Sequence, residues 1–238
     1  MGFLKDFLPV FTKNRLIFSG KKQEGKDVVT FFFKSEKMIH WKPGQHGIFT
    51  FDNLKLSGKK WRAFSVASTQ DEGHVMISMH IPAKPSSYKE AFQNLKPGDT
   101  ITMKGPFGPF YVEDISKPVI CIAGGIGITP VRSILTSITQ NKEAGPKSMH
   151  LLYTSSNGEY FYKDEIDRMM NGRDDLYVQY ISGREELNQA LSTYMIQYGN
   201  DAYYYISGSE GMVKSIKEVL MKQGISKKNI KNDPFLGY

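Results

Sequence analysis

The hydrophobic period of this chain changes at Pro118. Beyond it, apolar runs that read as strands alternate with segments of helical period. Val119 to Ala123 leads into Val131, Ile134, Leu135 and Ile138, which fall at i, i+3, i+4 and i+7. Further apolar runs stand at Met149 to Tyr153, Tyr177 to Ile181 and Ala202 to Ile206. Leu187, Ala190, Leu191, Tyr194 and Tyr198 form a stripe behind one of them, and Met212, Val213, Ile216, Val219 and Leu220 form a stripe behind another. Parallel neighbours need a crossover, usually a helix that covers the sheet, so repeated strand–helix units predict a doubly wound α/β domain with a parallel sheet. Before Pro118 the pattern is strand after strand: Lys26 to Lys34, His46 to Phe51, and His74 to Ile81, where Val75, Ile77, Met79 and Ile81 share a face. A short helix over about Ser87 to Asn94 precedes the turn Lys96-Pro97-Gly98-Asp99 and a strand at Thr100 to Lys104. This half predicts an antiparallel β-barrel or sandwich. The polar stretch from Glu113 to Pro118 divides two domains, 1–112 and 113–238.

Composition narrows the function classes. With 40% hydrophobic and 23% charged residues among 238, the chain has the balance of an ordinary globular protein. Its longest apolar run, Val119 to Ile128, falls well short of the roughly 18 to 20 residues needed to span a bilayer. The opening MGFLKDFLPVF is interrupted by Lys5, Asp6 and Pro9 and has no secretion-signal pattern, which predicts a cytoplasmic chain. One cysteine, Cys121, can form neither an internal disulfide nor the ligand set of an iron–sulfur cluster or structural zinc. The five histidines lack metal-ligand spacing, and no Gly-x-Ser-x-Gly nucleophile elbow occurs. Any redox centre is therefore organic or belongs to a partner. The formal charge of +7 suits nucleic acid, an anionic membrane or an acidic protein and does not choose among them; the lysines are scattered without a zinc-finger or RNA-recognition pattern, which reads as a solvated basic surface.

Chemistry concentrates in a few turns. Ile122 to Pro130 (IAGGIGITP) follows a strand and opens a helix, and its glycines allow the close backbone approach that a pyrophosphate needs at a helix N-terminus. It is neither the usual dinucleotide fingerprint, having Pro130 where the third glycine belongs, nor a nucleoside-triphosphatase loop. Around it stand Pro43-Gly44-Gln45, Trp61 to Ser68 (WRAFSVAS), Gly105-Pro106-Phe107-Gly108 and Ser207-Gly208-Ser209-Glu210-Gly211-Met212. In this order, and ending in a terminal aromatic pair, these motifs resemble the ferredoxin–NADP reductase family of flavoproteins over almost the whole chain.

The resemblance implies a flavoprotein oxidoreductase in which an N-terminal barrel holds FAD, or less favourably FMN, and a C-terminal domain holds NAD(P)H. A hydride passes from NAD(P)H to the flavin, and electrons pass on to a separate carrier such as an acidic ferredoxin or flavodoxin, an oxygenase or a membrane component. Two other readings stay open: an NAD(P)H:flavin reductase, and a non-catalytic flavin- or nucleotide-binding subunit that senses redox state.

By the same resemblance, Arg62 pairs with the flavin pyrophosphate, Ser65 bonds near flavin N5, backbone groups of Val66 to Ser68 serve the isoalloxazine edge, and Ala63 and Phe64 belong to the same flavin-binding stretch. Phe64 stands where the family usually has Tyr, which removes a hydroxyl but keeps a stacking ring. Ser86 and Ser87 resemble a second phosphate-contacting turn, and they equally suit a plain helix cap. Gly124, Gly125, Gly127 and Thr129 face the nicotinamide cofactor, and Gly208 and Met212 close over it. Ser207, paired with Ser65 as a catalytic candidate, replaces the family's usual Cys. Ser182 and Arg184 resemble a pair that holds a ribose 2′-phosphate, which favours NADPH over NADH, although Arg184 also suits an exposed helix start. Phe235 or Tyr238 is expected to shield the flavin face or else to pack on the second domain. Lys55, Lys59 and Lys60, in the loop leading to Arg62, form the expected docking patch for an acidic carrier.

Overall fold

Two sheets, one antiparallel and one parallel, organise residues 6–52, 54–141 and 145–235, which are those the computed structural model describes. They belong to two units, Met1–Tyr111 and Val112–Tyr238, so the division falls one residue before the expected boundary.

In the first unit the strands are β1 (Lys13–Gln23), β2 (Val28–Ser35), β3 (His46–Thr50), β4 (Trp61–Ser65), β5 (Val75–His80) and β6 (Thr100–Phe107), in sheet order β4-β3-β6-β1-β2-β5. Every ladder is antiparallel. The sheet curls until its edges meet: just past β4, the Ala67 N–H donates to Met76 O of β5 at 2.7 Å. Alternation puts Phe31 and Phe33 of β2, Phe49 of β3, and Ile101 and Met103 of β6 into one core. Helix α1 (Ser87–Gln93) packs on it through Tyr88 and Phe92, which lie i, i+4 and are fully buried. The Tyr88 hydroxyl donates to Phe49 O at 2.8 Å, giving the buried phenol the partner it needs. The sequence pattern does not reveal β1. Its lysine-rich far end, Lys21-Lys22-Gln23, is exposed at every residue, and a register shift between Phe18 and Gly20 breaks its alternation.

The second unit has β7 (Val119–Gly124), β8 (Met149–Thr154), β9 (Leu176–Ile181), β10 (Tyr203–Ser209) and β11 (Ile230–Phe235), in order β11-β10-β7-β8-β9 and all parallel. Helices α2 (Ile128–Gln140), α3 (Lys163–Met170), α4 (Arg184–Tyr198) and α5 (Glu210–Lys222) make the crossovers. β7 is central and buried along its length, which is why it reads as a continuous apolar run. The chain runs outward from β7 to β8 and β9, then returns to the other side of β7 for β10 and β11. That reversal opens a crevice at the carboxyl ends of β7 and β10, where open α/β sheets bind their ligands. β11 is not expected from sequence, because Asn232-Asp233-Pro234 reads as a turn; an edge strand tolerates Pro234 because one side of its ladder needs no donor.

Candidate functional site

Each unit carries a cluster of the residues singled out in the sequence. In the first, β4 alternates as expected: Trp61 and Ala63 are exposed, while Arg62 and Phe64 are half-buried on the other face. Arg62 Nη1 donates to the carbonyls of Lys59 (3.0 Å) and Trp61 (2.9 Å), and its guanidinium lies 5.2 Å from the Tyr88 ring centre. Among the described residues, Arg62 belongs to no ion pair. Lys89 sits close by, and burial, reinforced by repulsion from Arg62, holds its ammonium below the ordinary value. Two neighbouring cations, neither in an ion pair among the described residues, form a site that an anion would relieve. Ser86 caps α1 by accepting from the Lys89 N–H at 3.4 Å, and the Ser87 hydroxyl donates to Ser57 O at 2.9 Å. A pyrophosphate fits this group of cations and hydroxyls.

The stretch after β4 is committed to the fold. The Val66 N–H donates to Gln45 O at 2.9 Å, and the Ser68 hydroxyl donates to His74 O at 2.7 Å while accepting the Met76 N–H at 3.0 Å. These groups close the sheet. Ser65 is 5% exposed at the end of β4, opposite His46. Phe64 packs against Phe49 and stacks at 24° on Tyr88 with ring centres 6.4 Å apart. Gln45 of the Pro-Gly-Gln motif ties the neighbouring loops: its side chain accepts from Lys42 N–H at 3.0 Å and donates to Gly108 O at 3.1 Å. Lys55, Lys59 and Lys60 are exposed, and the Lys59 ammonium lies 3.8 Å from the Trp61 ring centre.

In the second unit, Gly124, Gly125, Gly127, Thr129, Ser207, Gly208 and Met212 converge at the carboxyl ends of β7 and β10. Gly125 has φ +52°, and the space where a Cβ would stand is open. At Gly127 a Cβ would overlap the Ser207 carbonyl and approach Gly208 Cα to 2.7 Å, so the turn packs against β10 only without a side chain. Met212 covers Gly124, and the Thr129 hydroxyl donates to Ile126 O at 3.0 Å, bracing the turn. Ser207 is fully buried and its hydroxyl has no hydrogen-bond partner among the described residues. Such an orphaned polar group carries a desolvation cost that a ligand could remove. The open cradle and this hydroxyl fit the phosphate and amide groups of a dinucleotide.

Two family models match the chain in succession: the oxidoreductase FAD-binding domain over residues 15–111 and the oxidoreductase NAD-binding domain over residues 121–218. The chain belongs to the ferredoxin–NADP reductase family. These are flavin-containing, electron-transferring oxidoreductases. The toluate 1,2-dioxygenase electron transfer component of Pseudomonas putida is 24% identical over 230 residues, covering 91% of this chain and 66% of that protein. A component of the Na(+)-translocating NADH-quinone reductase of Methylococcus capsulatus is 29% identical over 203 residues, covering 74% of this chain and 49% of that component. The chain thus spans about half the length of that relative. The cytochrome b5 reductase domain of Ulva prolifera nitrate reductase shares the fold, with a TM-score of 0.79, 19% identity and coverage of 95% of this chain and 99% of that one. So does the ferredoxin–NADP+ reductase of Plasmodium falciparum with 2′P-AMP: TM-score 0.78, 17% identity, 95% of this chain and 97% of that one. No helix among the described residues of this family member is long and apolar enough to cross a membrane.

The remaining expected residues stand on neighbouring segments. Ser182 and Arg184 follow β9, separated from β7 by β8. Both the Ser182 N–H (3.0 Å) and its hydroxyl (3.3 Å) donate to Glu186, and Arg184 Nη2 donates to Ser215 Oγ at 3.4 Å. Phe235 ends β11 in register with Ser209, whereas Tyr238 lies outside the described residues. The sequence motifs do not single out Lys89 or Glu186. Lys89 sits three residues beyond Ser86, and Glu186 is the third residue after Gly183, the N-cap of α4, from where it reaches back to Ser182, so helix geometry is the signal available for both.

Proposed function

We propose that this chain carries electrons from a reduced pyridine nucleotide, through FAD held by residues 1–112, to a separate redox protein, with residues 113–238 holding the nucleotide. The glycine turn at the switch point carries this reading, since its open backbone beside the orphaned Ser207 hydroxyl suits a dinucleotide phosphate and amide. When bound, the flavin and the nicotinamide supply the hydride and electron chemistry. The chain's own residues bind and orient. Arg62 and Lys89 neutralise a pyrophosphate, Ser86 and Ser87 offer hydroxyls beside them, and the Gly125 turn presents its backbone to the second cofactor. Ser65 and Ser207 are the buried hydroxyls proposed to contact the reacting rings.

The donor rests on the loop after β9. Arg184 opening α4 supports NADPH, since a guanidinium suits a 2′-phosphate. Glu186 favours a second reading, NADH: its carboxylate takes both Ser182 donors and would repel a 2′-phosphate, while accepting from ribose hydroxyls. The acceptor is proposed to be an acidic carrier protein docking on Lys55, Lys59, Lys60 and Trp61, a cytoplasmic partner such as a ferredoxin or flavodoxin, or an oxygenase component. FAD-loaded protein should reduce ferricyanide with either NADH or NADPH in a strictly flavin-dependent way. If neither donor supports turnover, the chain is a non-catalytic binding protein; if free flavin is the best acceptor, it is a flavin reductase.

A further inference from the structure

A phenol on the neighbouring strand reaches the glycine turn. Tyr153, in β8, is fully buried and pairs across the ladder with Ala123 of β7, two residues before Gly125. Its hydroxyl donates to Gly125 O at 3.1 Å and accepts the Phe161 N–H at 3.0 Å. The same Gly125 carbonyl also accepts the Ile128 N–H at the start of α2. One oxygen therefore joins the loop that follows β7 to the segment that follows β8, at the carboxyl ends of adjacent parallel strands.

The geometry of a peptide unit gives this contact a direction. In a trans peptide the C=O and the next residue's N–H point opposite ways. Fixing Gly125 O toward Tyr153 and Ile128 therefore turns the Ile126 N–H away from them. Gly125 itself has φ +52° and no side chain to limit its rotation, so the Ile128 N–H and the Tyr153 hydroxyl are what hold that peptide plane. The phenol is also a dependable donor: burial, the largest influence on it, raises its ionisation far above the physiological range, so it keeps its proton. Its ring is braced by Tyr160, edge-on with centres 5.2 Å apart.

We propose that Tyr153 is a positioning residue for the pyridine nucleotide, setting the orientation of the Gly125–Ile126 peptide, and hence of the amide that the turn offers to the cofactor. The assignment rests on the reading of this turn as the nucleotide cradle. A Tyr153→Phe substitution removes one oxygen and keeps the packed ring. Gly125 O then retains only the Ile128 N–H, and the Phe161 N–H loses its partner.

The test compares FAD-loaded wild type, Tyr153→Phe and Tyr180→Phe. Tyr180 contributes a hydroxyl to the same aromatic group, but that hydroxyl donates to Asp167 at 2.6 Å and does not touch the turn. NAD+ and NADP+ are titrated calorimetrically, and KM and kcat are measured with ferricyanide as acceptor. Tyr153→Phe should weaken nucleotide affinity roughly tenfold and raise KM in step, with kcat at saturating donor within about twofold of wild type and FAD content unchanged. Tyr180→Phe should leave both constants near wild type. Unchanged affinity and KM in Tyr153→Phe, even with a lowered melting temperature, would overturn the proposal, because a purely structural hydroxyl predicts that pattern. Equal weakening in both variants would overturn it as well. If Tyr153→Phe fails to fold, nucleotide-induced protection from hydrogen exchange in wild type decides instead: it should extend from residues 125–128 to the Phe161 amide, and protection confined to 125–128 would count against the link. Wild type that binds neither nucleotide defeats the cradle reading itself, and is distinguishable because it appears before any variant is made.

Discussion

The two units offer their proposed phosphate sites in opposite materials. In the first the material is charge: Arg62 and Lys89 lie together, neither of them in an ion pair among the described residues, and the backbone that follows β4 closes the sheet. In the second it is shape. Gly124, Gly125 and Gly127 bring bare backbone to the carboxyl end of β7, and no lysine or arginine stands among them. A site of charged side chains should fail by truncation and feel salt, whereas a site of backbone should fail by adding a methyl group and be less sensitive to salt.

The largest effect should come from the charged site. Arg62→Ala should lower FAD affinity about a hundredfold or more, since charge-assisted bonds to phosphate contribute a few kcal/mol. Far-ultraviolet circular dichroism should be unchanged, because Arg62 is half-buried and bonds only carbonyls of its own turn. Retained FAD at wild-type affinity would remove the charged half of the comparison.

The complementary change is Gly127→Ala. Its methyl group would meet the Ser207 and Gly208 backbone, which cannot swing aside as a flexible side chain could, so stability should fall by about 1–3 kcal/mol in urea denaturation. Gly125→Ala meets no neighbour but must hold φ +52°, at a cost of about 1–2 kcal/mol. Its methyl group also projects into the open cradle, so nucleotide affinity should fall further than stability does. Equal tolerance of alanine at both positions would show that the turn does not work through its bare backbone.

Smaller effects belong to the loop after β9. Arg184→Ala should raise KM for NADPH by up to about tenfold and leave NADH nearly untouched, and Glu186→Gln should improve NADPH relative to NADH by a few-fold. No change in the NADPH:NADH ratio of kcat/KM in either variant would remove both residues from donor choice. The smallest expected effect is on docking. Replacing Lys55, Lys59 and Lys60 with Ser should slow reduction of an acidic carrier severalfold and flatten its salt dependence, leaving ferricyanide reduction intact.

The same contrast explains what is legible in the sequence. Buried parallel strands announce themselves: β7 is a continuous apolar run, and the glycines after it are visible because few other residues tolerate such a turn. The Ser182–Arg184 pair is equally visible, yet its meaning changes once Glu186 proves to hold both Ser182 donors. Strands with one wet face are harder, and β1 is hidden by its exposed lysines and shifted register. The commitment of Val66 and Ser68 to sheet closure depends on Gln45, His74 and Met76, and side-chain pattern cannot reveal a backbone partner brought in by curling. Tyr153 illustrates the same limit, since its role depends on a neighbouring strand's register.

The most direct measurement is an anaerobic absorbance titration of FAD-reconstituted protein with NADH and with NADPH. Two units holding two cofactors predict stoichiometric FAD, with its visible band near that of a bound flavin, and bleaching by at least one donor at about one equivalent per flavin. Gly125→Ala should remain yellow yet need more donor to bleach, and Arg62→Ala should lose its colour on desalting. Protein that binds FAD but is bleached by neither nucleotide, or that binds no FAD, would contradict the account.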